Sequence, residues 1–171
     1  MESRIRLFGH PIHQMLVAFP LGLLGGSVAF DLLAHLLDRP LMSVVAHYLI
    51  SAGLLTGLLA APFGTVDWLA IPNGTRAKSV GRLHALGNVL VLGLFGASWW
   101  LRREAPAEPG LMAQCLSFAG ALLSLLTAWL GGELVDRLGV GVYNNAHLNA
   151  PSSLRRQERQ PAPVAVDPGR H

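Results

Sequence analysis

Charged residues are scarce in this sequence, since only 13% of its 171 residues are Asp, Glu, Lys or Arg. A soluble domain usually carries about 25% charged residues, so a chain this poor in charge would expose large apolar patches to water. Cysteine is nearly absent too: Cys115 stands alone, which excludes a framework of intramolecular disulfides. These absences exclude an ordinary soluble domain and favour a protein embedded in lipid.

Four long stretches contain no Asp, Glu, Lys or Arg at all: residues 12–30, 41–66, 83–101 and 110–132. A helix that crosses the hydrocarbon core needs about 20 apolar residues, and each stretch is near or above that length. Core helices of a soluble protein would show polar stripes instead. We therefore predict an all-α integral membrane protein, an up-down bundle of four transmembrane helices with spans near 12–37, 41–69, 81–101 and 110–134.

Basic residues are spread unevenly over the loops. With four spans, both termini and the middle loop share one side of the membrane, and most of the Lys and Arg residues lie there: Arg4, Arg6, Arg76, Lys78, Arg82, Arg137, Arg155, Arg156, Arg159 and Arg170. The opposite side carries only Arg39, Arg102 and Arg103. The positive-inside rule then predicts that both termini are cytoplasmic in a multi-pass protein of the bacterial inner membrane. The net positive charge needs no nucleic-acid partner.

The composition changes after Leu148. Residues 149–171 are rich in Pro, Arg, Gln and Ser and show no hydrophobic periodicity. Such a composition is typical of a disordered, solvated segment. We predict a membrane domain over residues 1–148 and a disordered basic tail over residues 149–171.

Small residues recur at four-residue intervals inside the apolar stretches. Gly22 and Gly26 form one such pair, and Gly53 and Gly57 form another. Rows of small residues let helix backbones approach closely in lipid. We predict that these glycines pack the bundle itself, although the same faces would also allow a homodimer. Trp99, near the end of the third stretch, fits the aromatic belt at a membrane interface.

Polar side chains gather at two membrane depths. Following the spans up and down places residues from all four helices at the cytoplasmic end: His10, His13, Asp67, His84, Asn88 and Glu133. Ionisable groups in a span are costly and usually mark a site, and bundle sites are built from facing helices. A smaller set lies near the other end: Asp31, His35 and His47.

The chain contains five distinctive segments: GHPIHQMLVAFPLGLL, FDLL, GTVDWLAIP, GRLHALGN and GGELVDRLGVGV. They closely resemble the bacterial membrane domain-of-unknown-function family 2231, from about Gly9 to Val142. The resemblance implies a four-helix membrane domain. Some relatives resemble fusions to a Rieske-type iron–sulfur domain, which implies a redox protein as a partner. Gln14 and Ala18 depart from the family pattern and remove one potential histidine ligand. Residues carried over by the resemblance are His10, His13, Asp31, Asp67, His84 and Glu133.

Three classes of function remain open, and the first is favoured. It is a redox-associated or metal-binding membrane subunit, in which a mixed imidazole–carboxylate set would suit zinc or iron: His10, His13, Asp67, His84 and Glu133. On diagonal helices, His13 and His84 are also a candidate axial pair for haem b. Its expected partners are the lipid bilayer and a redox membrane protein.

The second class is a small proton-coupled transporter or relay, since polar groups stand at both ends of the bundle. The third is a cofactor-free assembly or accessory subunit, in which His84 pairs with Asp67, and Glu133 with Arg82 or Arg137. An enzyme is less favoured, because the sequence contains no hydrolase, nucleotide-binding or nucleophile motif.

Overall fold

The structure, a computed structural model, describes residues 1–154. Four of its helices are long and apolar enough to cross a membrane: Ile12–Leu36, Pro40–Ala70, Arg76–Arg102 and Leu111–Arg137. The prediction of four spans is confirmed. Within the predicted tail, the Ser153 hydroxyl donates to the Phe8 carbonyl of the N-terminal segment, and residues 155–171 lie outside the described part of the chain.

The first span is preceded by a small antiparallel hairpin, β1 (Arg6–Leu7) and β2 (His10–Pro11). The span itself is two helices, α1 (Ile12–Leu16) and α2 (Ala18–Leu36). The interruption follows from Pro20, which has no N–H to donate to the carbonyl of Leu16. The remaining helices are α3 (Pro40–Ala70), α4 (Arg76–Arg102) and α5 (Leu111–Gly132), the last continuing as a π-helical turn (Glu133–Arg137).

The connections have local causes in the sequence. Asp38 adopts a φ of 50°, which reverses the chain between α2 and α3, and Pro40 then occupies the first turn of α3. The Thr75 side chain accepts a hydrogen bond from the Lys78 backbone N–H and so caps α4. This cap starts the third span at Arg76, earlier than the predicted residue 81.

The helices form an up-down bundle in which α2 packs on α3 and α4 packs on α5. Further contacts join α3 to α4 and α2 to α5, so that α2 lies diagonally opposite α4. The core consists of Leu24, Ile50, Val91 and Phe95. We call the end of the bundle that holds the N-terminus the His13 end, and the end with the α4–α5 loop the Arg102 end.

The two helical hairpins repeat one pattern. The segment LGLLGGS at residues 21–27 of α2 returns as LGLFGAS at residues 92–98 of α4. The spacing of 71 residues relates several side chains that face the interior or a neighbouring helix: His13 to His84, Leu24 to Phe95, Ser27 to Ser98, and Asp31 to Arg102. Because α2 and α4 run in the same direction, this is a parallel repeat about an axis along the membrane normal.

The glycines divide into an inner and an outer group. A Cβ on Gly53 would lie 2.5 Å from Leu24, and one on Gly57 would lie 2.8 Å from Leu92, so both pack the bundle as predicted. Gly26 faces Leu49 of α3 more loosely. The same expectation is wrong for Gly22, because none of the described residues lies within 4 Å of the position of its Cβ.

Candidate functional site

His13 is fixed against helix α3 by its ring. Its Nδ1 lies 3.1 Å from the backbone carbonyl oxygen of Ala60. The ring also covers Gly64, where an added Cβ would lie 2.6 Å from the His13 Cε1 atom. Gly64 therefore leaves the space that the imidazole fills. Because a carbonyl oxygen only accepts, this hydrogen bond requires the proton on Nδ1.

His84 is fixed against helix α5 in the same way. Its Nδ1 lies 2.9 Å from the carbonyl oxygen of Thr127, and a Cβ on Gly131 would lie 3.2 Å from its ring. The Asn88 Nδ2 atom lies 3.2 Å from His84 Nε2, and the Thr127 hydroxyl donates to Asn88 Oδ1 over 3.2 Å. With its proton on Nδ1, the neutral ring is satisfied at both nitrogens.

The two histidines thus occupy equivalent positions of the repeat and have equivalent anchors on the neighbouring helix. Each Nδ1 is held by a backbone carbonyl of the partner helix, and each ring lies over the glycine four residues beyond that carbonyl. With the proton on Nδ1, the Nε2 atom of each ring carries the lone pair. Ligating histidines usually show the same second contact, since their other ring N–H donates to a carbonyl or carboxylate. We call His13 and His84 the histidine pair.

The carboxylates predicted to join the histidine pair have other partners. Asp67 accepts hydrogen bonds from the Ser3 hydroxyl at 2.7 and 2.8 Å and from the Arg4 backbone N–H at 2.8 Å. Glu133 pairs with Arg76 over 2.5 Å. The alternative pairings predicted from the sequence, His84 with Asp67 and Glu133 with Arg82 or Arg137, are therefore wrong.

The five predicted ligands do not converge on one point. His10 is exposed on β2, away from the bundle interior. Across residues 1–154, no three His, Cys, Asp or Glu side chains are grouped as a metal site. Of the predicted set, only the histidine pair has its Nδ1 atoms held by backbone carbonyls, so any bound group would depend on those two rings.

A polar cap covers the His13 end. The Met1 amine donates to the Gly139 carbonyl over 2.7 Å, and the Tyr143 hydroxyl donates to the Gly9 carbonyl. Glu2 accepts from Arg6 over 2.6 Å, and this hydrogen bond, with a smaller contribution from the Asn144 N–H, lowers the pKa of Glu2. The N-terminal segment and the residues after α5 are therefore joined at the His13 end.

The Arg102 end holds a buried ion pair that links the two diagonal helices. Arg102 Nη1 lies 2.9 Å from each carboxylate oxygen of Asp31, and both side chains are 0% exposed. Arg102 Nη2 donates to the hydroxyls of Ser98 at 3.1 Å and Ser117 at 3.4 Å. The assignment of Arg102 to a solvated loop is therefore wrong: it is the last residue of α4 and lies inside the bundle.

The two histidines predicted at this end have separate surroundings. His35 is exposed, and its Nε2 lies 2.7 Å from Gln114 Oε1. His47 stacks on Trp99 with the ring centroids 5.7 Å apart, and Trp99 donates to the Ser51 hydroxyl over 2.7 Å. The ring of Trp99 therefore packs inward on the bundle, near the end of the third span.

Sequence reasoning missed Arg102 as an interior residue, although a signal for it was present. The repeated segments LGLLGGS and LGLFGAS align Asp31 with Arg102. An acidic and a basic residue at equivalent positions of two parallel hairpins face each other across the axis. The internal repeat would therefore have placed both charges at one level of the bundle, within reach of each other.

These features define the class: a polytopic α-helical membrane protein built from two repeated hairpins. The chain belongs to the family described as predicted membrane protein (DUF2231), whose model matches residues 9–144. The resemblance found in the sequence is thereby confirmed. No curated protein and no solved structure matches the chain. The family description names no activity, so function must be argued from the side chains.

Proposed function

We propose that this protein is a membrane subunit that holds haem b or a transition-metal ion through the histidine pair. One observation carries the proposal: His13 and His84 are anchored identically, each through Nδ1 to a backbone carbonyl and each over a glycine. This anchoring prepares an imidazole for ligation through Nε2, because it sets the tautomer and the ring direction. Two imidazoles on diagonal helices suit the opposite faces of a haem.

The rest of the site is compatible with such a ligand. Asn88 would release His84 Nε2 but keep its hydrogen bond to the His84 carbonyl, which spans 2.8 Å. Asp67 and Glu133 keep their own partners and would not be ligands. A haem held in this way would supply one-electron chemistry, and the subunit would then exchange electrons with a redox partner in the same membrane.

The test is the visible spectrum and the metal content of the full chain purified in mild detergent. We expect a Soret band, or one equivalent of iron or zinc without it, and loss of either signal in His13→Ala and in His84→Ala. The matched control is His35→Ala, which removes an exposed histidine at the Arg102 end and should retain the signal. Monodispersity on size exclusion verifies folding of each variant.

A colourless and metal-free protein after reconstitution with haem and with each metal would contradict the proposal. It would leave the proton relay or the cofactor-free accessory subunit. Loss of the signal in His35→Ala but not in His84→Ala would also contradict it, since the ligand would then lie at the other end.

We also propose that the His13 end faces the cytoplasm of a bacterial inner membrane. That end carries Arg4, Arg6, Arg76 and Lys78. Arg102 is buried and no longer counts among the loop residues of the other side, so the difference in Lys and Arg between the two sides becomes larger. Green fluorescent protein fused after His171 is expected to fluoresce, and alkaline phosphatase inserted after Pro106 is expected to be active. Activity of the phosphatase at the C-terminus instead would reverse the orientation.

A further inference from the structure

The buried ion pair leaves one of its hydrogen-bond donors unused. Arg102 directs Nη1 at the Asp31 carboxylate and Nη2 at Ser98 and Ser117. Its Nε atom is buried and has no partner among residues 1–154, while the whole side chain is 0% exposed. A guanidinium N–H in this position requires an acceptor, since it cannot reach bulk water.

A second unpartnered nitrogen belongs to the neighbouring histidine. His47 Nδ1 is buried, and no hydrogen-bond partner for it is found in the described part of the chain. Its ring stacks on Trp99, and the Trp99 ring is held in turn by its hydrogen bond to the Ser51 hydroxyl. A rotation of the His47 ring towards another partner would break this stacking.

The two nitrogens belong to one neighbourhood. Trp99 and Arg102 are three residues apart on α4, so they share a helix face. His47 of α3 packs on that face through Trp99, with the ring centroids 5.7 Å apart. In residues 1–154, the only buried side-chain N or O atoms without a partner are these two, and both lie at the Arg102 end.

We propose that Arg102 Nε and His47 Nδ1 bind one internal water molecule between them. The water would accept a hydrogen bond from the Arg102 N–H and donate one to the unprotonated His47 Nδ1. An anion can accept from Arg102 but cannot donate to His47, and the Asp31 carboxylate opposes it. A cation is opposed by the guanidinium. A neutral molecule that both donates and accepts fits both atoms, and internal waters typically satisfy such buried groups.

This water would join His47 of α3 to the Asp31–Arg102 pair of α2 and α4. The three helices would then share one hydrogen-bonded unit at the Arg102 end. The proposal is independent of a ligand at the histidine pair, because it rests on different residues at the opposite end of the bundle.

The direct test uses the full wild-type chain labelled with ¹⁵N-histidine in lipid vesicles and examined by solid-state NMR. We expect polarisation from water protons to reach the His47 Nδ1 resonance, which His47→Phe identifies by removing it. Transfer to that nitrogen from protein protons alone would overturn the proposal.

A second test is a thermal unfolding cycle with His47→Phe and Arg102→Lys. Phenylalanine keeps the stacking on Trp99 but removes Nδ1, and lysine keeps the charge but removes Nε. We expect the two shifts in Tm to be non-additive, because either change alone releases the shared water. The matched cycle of His10→Phe with Arg102→Lys should be additive, because His10 is exposed at the opposite end of the bundle. Additive shifts in the His47 cycle would overturn the proposal, and the wild-type NMR measurement decides the matter if Arg102→Lys fails to fold.

Discussion

Replacing Arg102 with methionine, or Asp31 with alanine, is expected to leave little folded protein in mild detergent. Each change strands the other charge at a position that is 0% exposed. Breaking a buried ion pair costs about 3–5 kcal/mol, a large share of the roughly 5–15 kcal/mol that stabilises a typical protein. Thermal unfolding and size exclusion measure the effect. Arg103→Met is the matched control, because Arg103 lies outside the bundle on Trp100 and Glu104.

The double variant Asp31→Arg with Arg102→Asp is expected to recover part of this stability. The repeat supplies the reason: Ser27 stands four residues before Asp31, as Ser98 stands four residues before Arg102, and both serines are fully buried. An arginine at position 31 would therefore find one hydroxyl in an equivalent place. Ala60 of α3 and Thr127 of α5 anchor the two histidines, so equivalent positions of these helices lie 67 residues apart. Recovery is partial because position 50, which corresponds to Ser117 at that spacing, is an isoleucine.

Two results would count against this account. Single variants with the wild-type Tm would mean that the ion pair does not support the fold. A charge swap no more stable than either single variant would mean that the two positions are not equivalent. Replacing both residues together, Asp31→Leu with Arg102→Met, should give a higher Tm than either single variant. The reason is that an apolar pair of similar volume often matches a buried ion pair in stability.

Gly53→Val and Gly120→Val are each expected to lower the stability of one hairpin. The first change disturbs the packing of α3 on α2, and the second disturbs the packing of α5 on α4. A Cβ on Gly53 would lie 2.5 Å from the Leu24 side chain, and one on Gly120 would lie 2.9 Å from Phe95. Overfilling a packed interior costs about 1–3 kcal/mol, and the rigid ring of Phe95 and the α2 backbone near Gly53 limit relaxation. The measurement is Tm in mild detergent, which should fall for both variants.

The control and the rescue are both available in the chain. Gly96→Val should leave Tm unchanged, because none of the residues in the described range lies within 4 Å of the Cβ position at Gly96. Adding Leu24→Ala to Gly53→Val should restore part of the loss by removing the clashing side chain. A larger loss for Gly96→Val than for Gly53→Val would place the close packing on the outer face, where a second copy of the chain would have to supply it.

The number of spans could be predicted from the sequence because the bilayer imposes it. Apolar runs without charge have few alternatives in lipid, where backbone groups must be satisfied within helices. The ends of the helices were less predictable. Thr75 starts α4 before the apolar run begins, and Pro20 divides the first span, because caps and prolines act locally and not through hydropathy.

The candidate site was predictable in its histidines and not in its carboxylates. His13 and His84 face neighbouring helices, as their positions within apolar runs required. Asp67 and Glu133 lie at helix ends, where several polar groups are within reach of each carboxylate. Asp67 binds Ser3, which is 64 residues away in the sequence, and Glu133 binds Arg76, which is 57 residues away. Sequence spacing does not resolve such a choice, because it depends on how the N-terminal segment folds over the bundle.

The sequence by itself determined a four-helix membrane protein, since scarce charge and four long apolar runs permit few other structures. It also carried the repeat that aligns Asp31 with Arg102. Only the tertiary structure decided that Arg102 turns inward to Asp31 rather than outward with Arg103. The physical reason is that a long side chain at a helix end can reach either water or a buried partner. The position of the diagonal helix selects between them.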